Sequence, residues 1–148
     1  MKKLLLLVTT LCLFCFSSVA LAATHGQILT KEEAVASQVM SALTKTTSYE
    51  VVSQDFTPAL QQSLDKAKLN EMKKEVRAKF GKMQDMKFIA LQKFDQGDRV
   101  TYLASFAKQQ FVRIEFLFDV TTDAPKVMSF SLTPLQVQQE APAEQAKK

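Results

Sequence analysis

The sequence predicts an α+β domain: two or three N-terminal helices packed on one curved, four-stranded antiparallel meander. Three observations predict it. Leu69, Met72, Val76 and Phe80 recur three, four and four residues apart, which lays one apolar stripe along a helix. Beyond Gly81 the apolar residues alternate with period two, the signature of half-buried strands. Polar turn clusters then cut that alternating stretch into four short pieces, joined too tightly for crossover connections.

Thr30-Lys31-Glu32-Glu33 has the spacing of a capping box, and Val35, Val39, Ala42 and Leu43 follow at helical intervals, so a first helix is expected over about 31–45. Thr44, Thr46, Thr47 and Ser48 end it, because β-branched and hydroxyl side chains compete with helical backbone bonding. Tyr49 to Phe56 reads as a connecting turn. Thr57-Pro58 is a helix start, with Thr as N-cap and Pro at the first helical position. A short helix over about 58–65 and a longer one over about 66–80 follow, the second closed by Gly81.

In the meander, Met86, Phe88, Ala90 and Phe94 alternate with Lys87, Ile89, Leu91 and Lys93. After the turn Asp95-Gln96-Gly97-Asp98, the residues Val100, Tyr102, Ala104 and Phe106 take one face. Val112, Ile114, Phe116, Phe118 and Val120 do the same in the third strand, and Met128, Phe130 and Leu132 in the fourth. The helices cover one face of this sheet. Ile89, Leu91, Leu103 and Leu117 are expected on the other, an apolar area of the kind that marks a pocket or an interface, including one between two copies of the chain.

The chain has 148 residues, 47% apolar and 23% charged, with net charge +4, one His and two Cys. That length suits one domain. Met1-Lys2-Lys3, the apolar run Leu4 to Phe16 and the small residues Ala20 and Ala22 have the order of a secretory signal peptide, with cleavage after Ala22 or Ala23. The run is too short to cross about 30 Å of hydrocarbon. Residues 1–22 are therefore expected to be removed, 23–29 to form a flexible leader, 30–134 the domain and 135–148 a disordered polar tail. Cys12 and Cys15 lie inside the signal, and neither follows the small residue that lipidation requires. The exported chain then lacks cysteine, so disulfide and thiol chemistry are excluded. The expected destination is the periplasm or the medium.

Glu32 to Leu132 resembles the cone-shaped nuclear transport factor 2-like superfamily, in particular its small secreted bacterial domains of unknown function. The resemblance rests on the opening helix, Tyr49 and then Phe56-Thr57-Pro58-Ala59-Leu60, the helix ending in Phe80-Gly81-Lys82, and the meander. Cystatin-like inhibitors share the helix-on-sheet shape but usually carry a single helix. The resemblance implies a cone whose interior can hold a ligand. Catalytic members place a carboxylate base and a hydrogen-bond donor there. Asp55, Glu115, Tyr49, Tyr102 and Arg113 are the available actors, and no pair of them matches that pattern. As a ligand pocket, the expected lining is Tyr49, Phe56, Tyr102, Arg113 and Glu115. The plainer alternative is rim packing for the tyrosines and a solvated charge pair for Arg113 and Glu115.

One His and no exported Cys leave only a carboxylate cluster for a hard cation, no Asp-rich loop has the spacing for one, and no cofactor is expected. The stretch 66–87 carries eight basic residues against three acidic. It offers a basic face of Lys66, Lys73, Lys74 and Arg77 toward an anionic surface, or simply a solvated helix. No aromatic residues interleave with these charges, which argues against nucleic acid. The expected function is a secreted or periplasmic non-enzymatic module that binds a small apolar ligand or a partner protein. The alternative is an isomerase- or cyclase-type enzyme with its pocket in the cone.

Overall fold

Glu32, Ala36, Val39, Met40 and Leu43 lie on one side of a helical wheel, and all five are buried. They belong to helix α1, His25–Thr44, in a computed structural model that describes residues 25–122 and 124–136. The helix is longer at its start than the capping-box spacing predicts. Thr30 is interior, and its hydroxyl donates to the Gly26 carbonyl at 2.9 Å instead of capping Glu33. Residues 25–29, expected as leader, are helical. The expected signal peptide lies outside the described residues, as does the expected tail from residue 137. Leu135 is tied to the sheet through its N–H on the Phe111 carbonyl.

The connection after α1 holds a single turn of helix, α2 (Tyr49–Val52), and a 3-10 turn over Ser53–Asp55. Phe56 then forms a parallel bridge with Val127, which stitches this segment to the sheet edge. Helix α3, Pro58–Ser63, starts as the Thr57-Pro58 pair predicts, with the Thr57 hydroxyl accepting from the Leu60 N–H. Helix α4, Lys66–Phe80, is capped by Asp65, whose carboxylate accepts from the Lys68 N–H at 2.9 Å. Gly81 ends it at φ 79°, a backbone conformation that glycine takes without strain.

Strands β1 (Met83–Phe94), β2 (Gly97–Phe106), β3 (Val112–Asp119) and β4 (Lys126–Pro134) form one antiparallel sheet in chain order. The inner faces of β2 and β3 carry Val100, Tyr102, Ala104, Phe106, Val112, Ile114, Phe116 and Phe118, all buried under the helices. Phe116 stacks on Phe118 and Phe130 at centroid separations of 5.9 and 5.8 Å.

The alternation expected for β1 breaks at a bulge between Phe88 and Ala90. Phe88 pairs with Tyr102, but beyond the extra residue Leu91 pairs with Val100 and Lys93 with Asp98. A one-residue slip sends every later side chain to the opposite face. Leu91, expected outside, therefore packs against the core. Lys93 turns inward with it, and Phe94 turns outward against Arg99, whose guanidinium lies 5.1 Å from the ring centre.

Candidate functional site

The turn of Lys93 brings its partly exposed ammonium, 40% exposed along the side chain, to two buried carboxyls. Its Nζ lies 2.6 Å from Asp98 Oδ2, and Asp98 is only 1% exposed. Glu32, on the buried stripe of α1, is 0% exposed and interacts with both groups. One ammonium faces two carboxyls here. While both are ionised neither has a proton to give, and both Glu32 oxygens lack a hydrogen-bond partner among the described residues. A proton on Glu32 removes the conflict by making it the donor to Asp98. Burial first, and the Asp98 charge second, push the Glu32 carboxyl up to about 7, with Lys93 pulling the other way.

Tyr102 completes the cluster. Its hydroxyl is buried with no partner among the described residues. Burial and the nearby Glu33 and Glu32 carboxylates push the phenol above its ordinary range. The ring sits edge-on between Phe88 and Phe116, with centroids 6.1 Å from each.

The sequence held partial signals for this cluster. Carrying the Ala36-Val39-Met40-Leu43 stripe one turn back lands on Glu32, and carrying the Val100-Tyr102 alternation back lands on Asp98. Lys93 had none, because its face depends on the bulge.

The expected pocket residues do not converge. Tyr49 is half-buried at the start of α2 and packs on the core. Phe56 is buried beside Val127, and Tyr102 faces inward. Arg113 and Glu115 stand on the outer face of β3, where Arg113 Nε lies 3.4 Å from Glu115 Oε2 in an exposed to half-buried pair. Glu115 also lines a shallow groove of about 450 Å³ on the outer face with Arg99, Leu117 and Ser129. Another of about 190 Å³, between α4 and β4, is lined by Met72, Val76, Phe80, Phe130 and Leu132 among others. Among the described residues no group of three or more His, Cys, Asp or Glu side chains is placed to hold a metal ion.

The basic stretch divides sharply once its partners are known. Lys66 Nζ is 2.6 Å from Glu50 Oε1, and this bond holds the exposed Glu50 carboxyl down at about 2. Lys68 donates to the Ser63 carbonyl, Lys73 to the Lys45 carbonyl, and Lys79 lies over the Phe80 ring. Lys74, Arg77 and Lys82 have no side-chain partner among the described residues and are exposed. Unpaired cations on one face are available to an outside anion. Paired ones of the Lys66 kind contribute little to anything but local order.

A family model described as "Protein of unknown function (DUF3887)" matches residues 36–123, from the buried stripe of α1 to the turn after β3. No curated protein and no solved structure matches the chain.

Proposed function

The chain belongs to that family of unknown function, and from this premise we propose that it is an exported, non-catalytic interaction module whose contact surface is the basic face of α4. The unpartnered Lys74 and Arg77 carry this reading. An anionic surface engages such cations without first breaking an internal pair.

Further observations support it. The space between helices and sheet is filled by Phe116, Phe118, Met40, Leu43 and Ile114, all fully buried, which directs binding toward the surface. The helices laid over a bulged meander support kinship with the nuclear transport factor 2-like cone, and more than one helix among the described residues speaks against the single-helix cystatin arrangement. Among the described residues no helix is long and apolar enough to cross a membrane. A dimer through the outer sheet face has less to rest on. Leu91 is turned inward, and Leu103 and Leu117 are only half-exposed beside Arg99, Arg113 and Glu115.

The catalytic alternative has one observation in its favour, the Glu32–Asp98–Tyr102 cluster. A carboxyl poised near neutrality beside a phenol is the equipment of proton transfer. The outer-face groove and the α4–β4 groove leave all three residues out of their linings.

Two measurements test the proposal. Mass spectrometry of protein recovered from the periplasm or medium is expected to find Ala23 or Thr24 as the first residue; an intact Met1 would remove the export step. Replacing Lys73, Lys74 and Arg77 together by Gln is expected to weaken binding to phosphatidylglycerol-containing vesicles by roughly a hundredfold, since each cation near an anionic surface contributes about 1 kcal/mol. Equal binding by parent and variant would remove the basic face from the function.

A further inference from the structure

The C-terminal ends of α1 and α4 lie side by side, and a groove of about 240 Å³ opens between them. Lys45, Lys73, Arg77 and Lys82 all line it, and no acidic residue does. The chain segments that bring these residues together are separate: Lys45 follows α1, Lys73 and Arg77 belong to α4, and Lys82 follows the Gly81 cap.

Cations gather at helix C-termini for a structural reason, because each end carries about half a negative charge. Lys73 serves that purpose by donating to the Lys45 carbonyl. The remaining charge exceeds the need. Two helix ends offset about one unit of positive charge, and four cations line the groove. The Lys45, Arg77 and Lys82 side chains have no partner among the described residues. Placing like charges together without a counterion is unfavourable, so the arrangement calls for a multivalent anion.

From this we infer that the groove is a binding site for a phosphoryl group. A phosphate monoester carries nearly two negative charges and three strong acceptor oxygens, where a single carboxylate would leave most of the surplus unmatched. Arg77 supplies a planar fork suited to two of those oxygens, and Lys45 and Lys82 supply point charges. The volume lies below the roughly 300–1,000 Å³ of sites for drug-sized ligands, which suits a small head group. The site rests on the reading of the α4 face as a contact surface and gives that surface its chemistry. The phosphoryl group can be free or belong to a phospholipid head.

The test is an NMR titration of the protein purified from its host, with inorganic pyrophosphate at low salt. The amides of Lys45, Arg77, Gly81 and Lys82 are expected to shift together. The Arg77→Gln, Lys82→Gln double variant is expected to bind about tenfold more weakly, having lost two charge-assisted contacts. A Lys66→Gln, Lys87→Gln control, which touches only exposed lysines paired with Glu50 and Asp85, is expected to bind as the parent does. A second arm uses phosphatidylcholine vesicles with and without phosphatidylglycerol. Loss of both pyrophosphate and vesicle binding in the groove variant assigns the site to a lipid head group. Loss of pyrophosphate binding alone assigns it to a free phosphate. Pyrophosphate shifts scattered over Lys66, Lys87 and Arg99, or unchanged affinity in the groove variant, overturn the site. If vesicle binding still depends on Lys73, Lys74 and Arg77 in that case, the contact-face reading stands without it. Parent protein that binds neither probe removes both.

Discussion

Glu32→Gln is expected to make the protein more stable at pH 8, by about 3 kcal/mol, while leaving it nearly unchanged at pH 4. The parent's Glu32 titrates at about 7 in the folded state against 4.5 as the ordinary value. Each unit of such a difference corresponds to about 1.4 kcal/mol. The direction follows from proton counting. Between pH 4.5 and 7 the folded chain keeps a proton that the unfolded chain has released, so stability falls as pH rises through this window. Below it both states hold the proton, and above it neither does, so the contribution is flat on either side. Glutamine has nearly the same shape, carries no charge at any pH and can donate its amide N–H to Asp98. Asp98 and Lys93 also act on this position, but both remain in the variant. Urea denaturation of both proteins from pH 4 to 8 isolates the Glu32 contribution as the difference between two curves. Parallel curves would show that Glu32 is not the buried proton carrier.

The largest loss is expected from Gly97→Ala. Gly97 opens β2 after the two-residue turn from Phe94, and it lies against the backbone of β3. A Cβ at this position would overlap the Phe118 carbonyl oxygen. A flexible side chain could swing away, but a carbonyl in a sheet moves only with its strand. Asp98 pairs with Phe118 in the same place, and Asp98 is the residue that Lys93 and Glu32 share. Forced displacement would therefore loosen the β2–β3 ladder and the polar cluster together. A destabilisation of roughly 3 kcal/mol or more is expected, at the upper end of what overpacking costs. That corresponds to a fall of about 10 °C in Tm for a domain of this size. Calorimetry decides it. A melting point within about 2 °C of the parent would mean that the strand gives way freely at this turn.

Much of the fold is written locally. The Thr57-Pro58 start, the stripe from Leu69 to Phe80 and the Gly81 stop each depend on residues within a turn or two, and each appears where those residues place it. The four strands follow from the same kind of information, because alternation and turn chemistry are read over a few residues. The misplacements have a common cause. Thr30 and Glu33 have capping-box spacing, but a cap forms only where the helix begins, and α1 already runs from His25. Leu91 and Lys93 follow a correct alternation until Ile89 bulges out, 56% exposed, and exchanges the faces. Bulges belong to the pairing of two strands, so neither strand announces one alone.

By itself, then, the sequence determined the α+β order of elements, most of their boundaries and the apolar residues that fill the space between helices and sheet. These rest on periodicity and on caps, which act over one or two turns of chain. Tertiary structure alone decided which charged groups share a space. It set Glu32 against Asp98 with a single lysine between two carboxyls, and it brought Lys45 and Lys82 to Arg77 while Glu50 took Lys66. The energy of a charge depends on how far it is buried and on what lies within a few ångströms of it. Both are properties of segments distant in the chain that meet only when it folds.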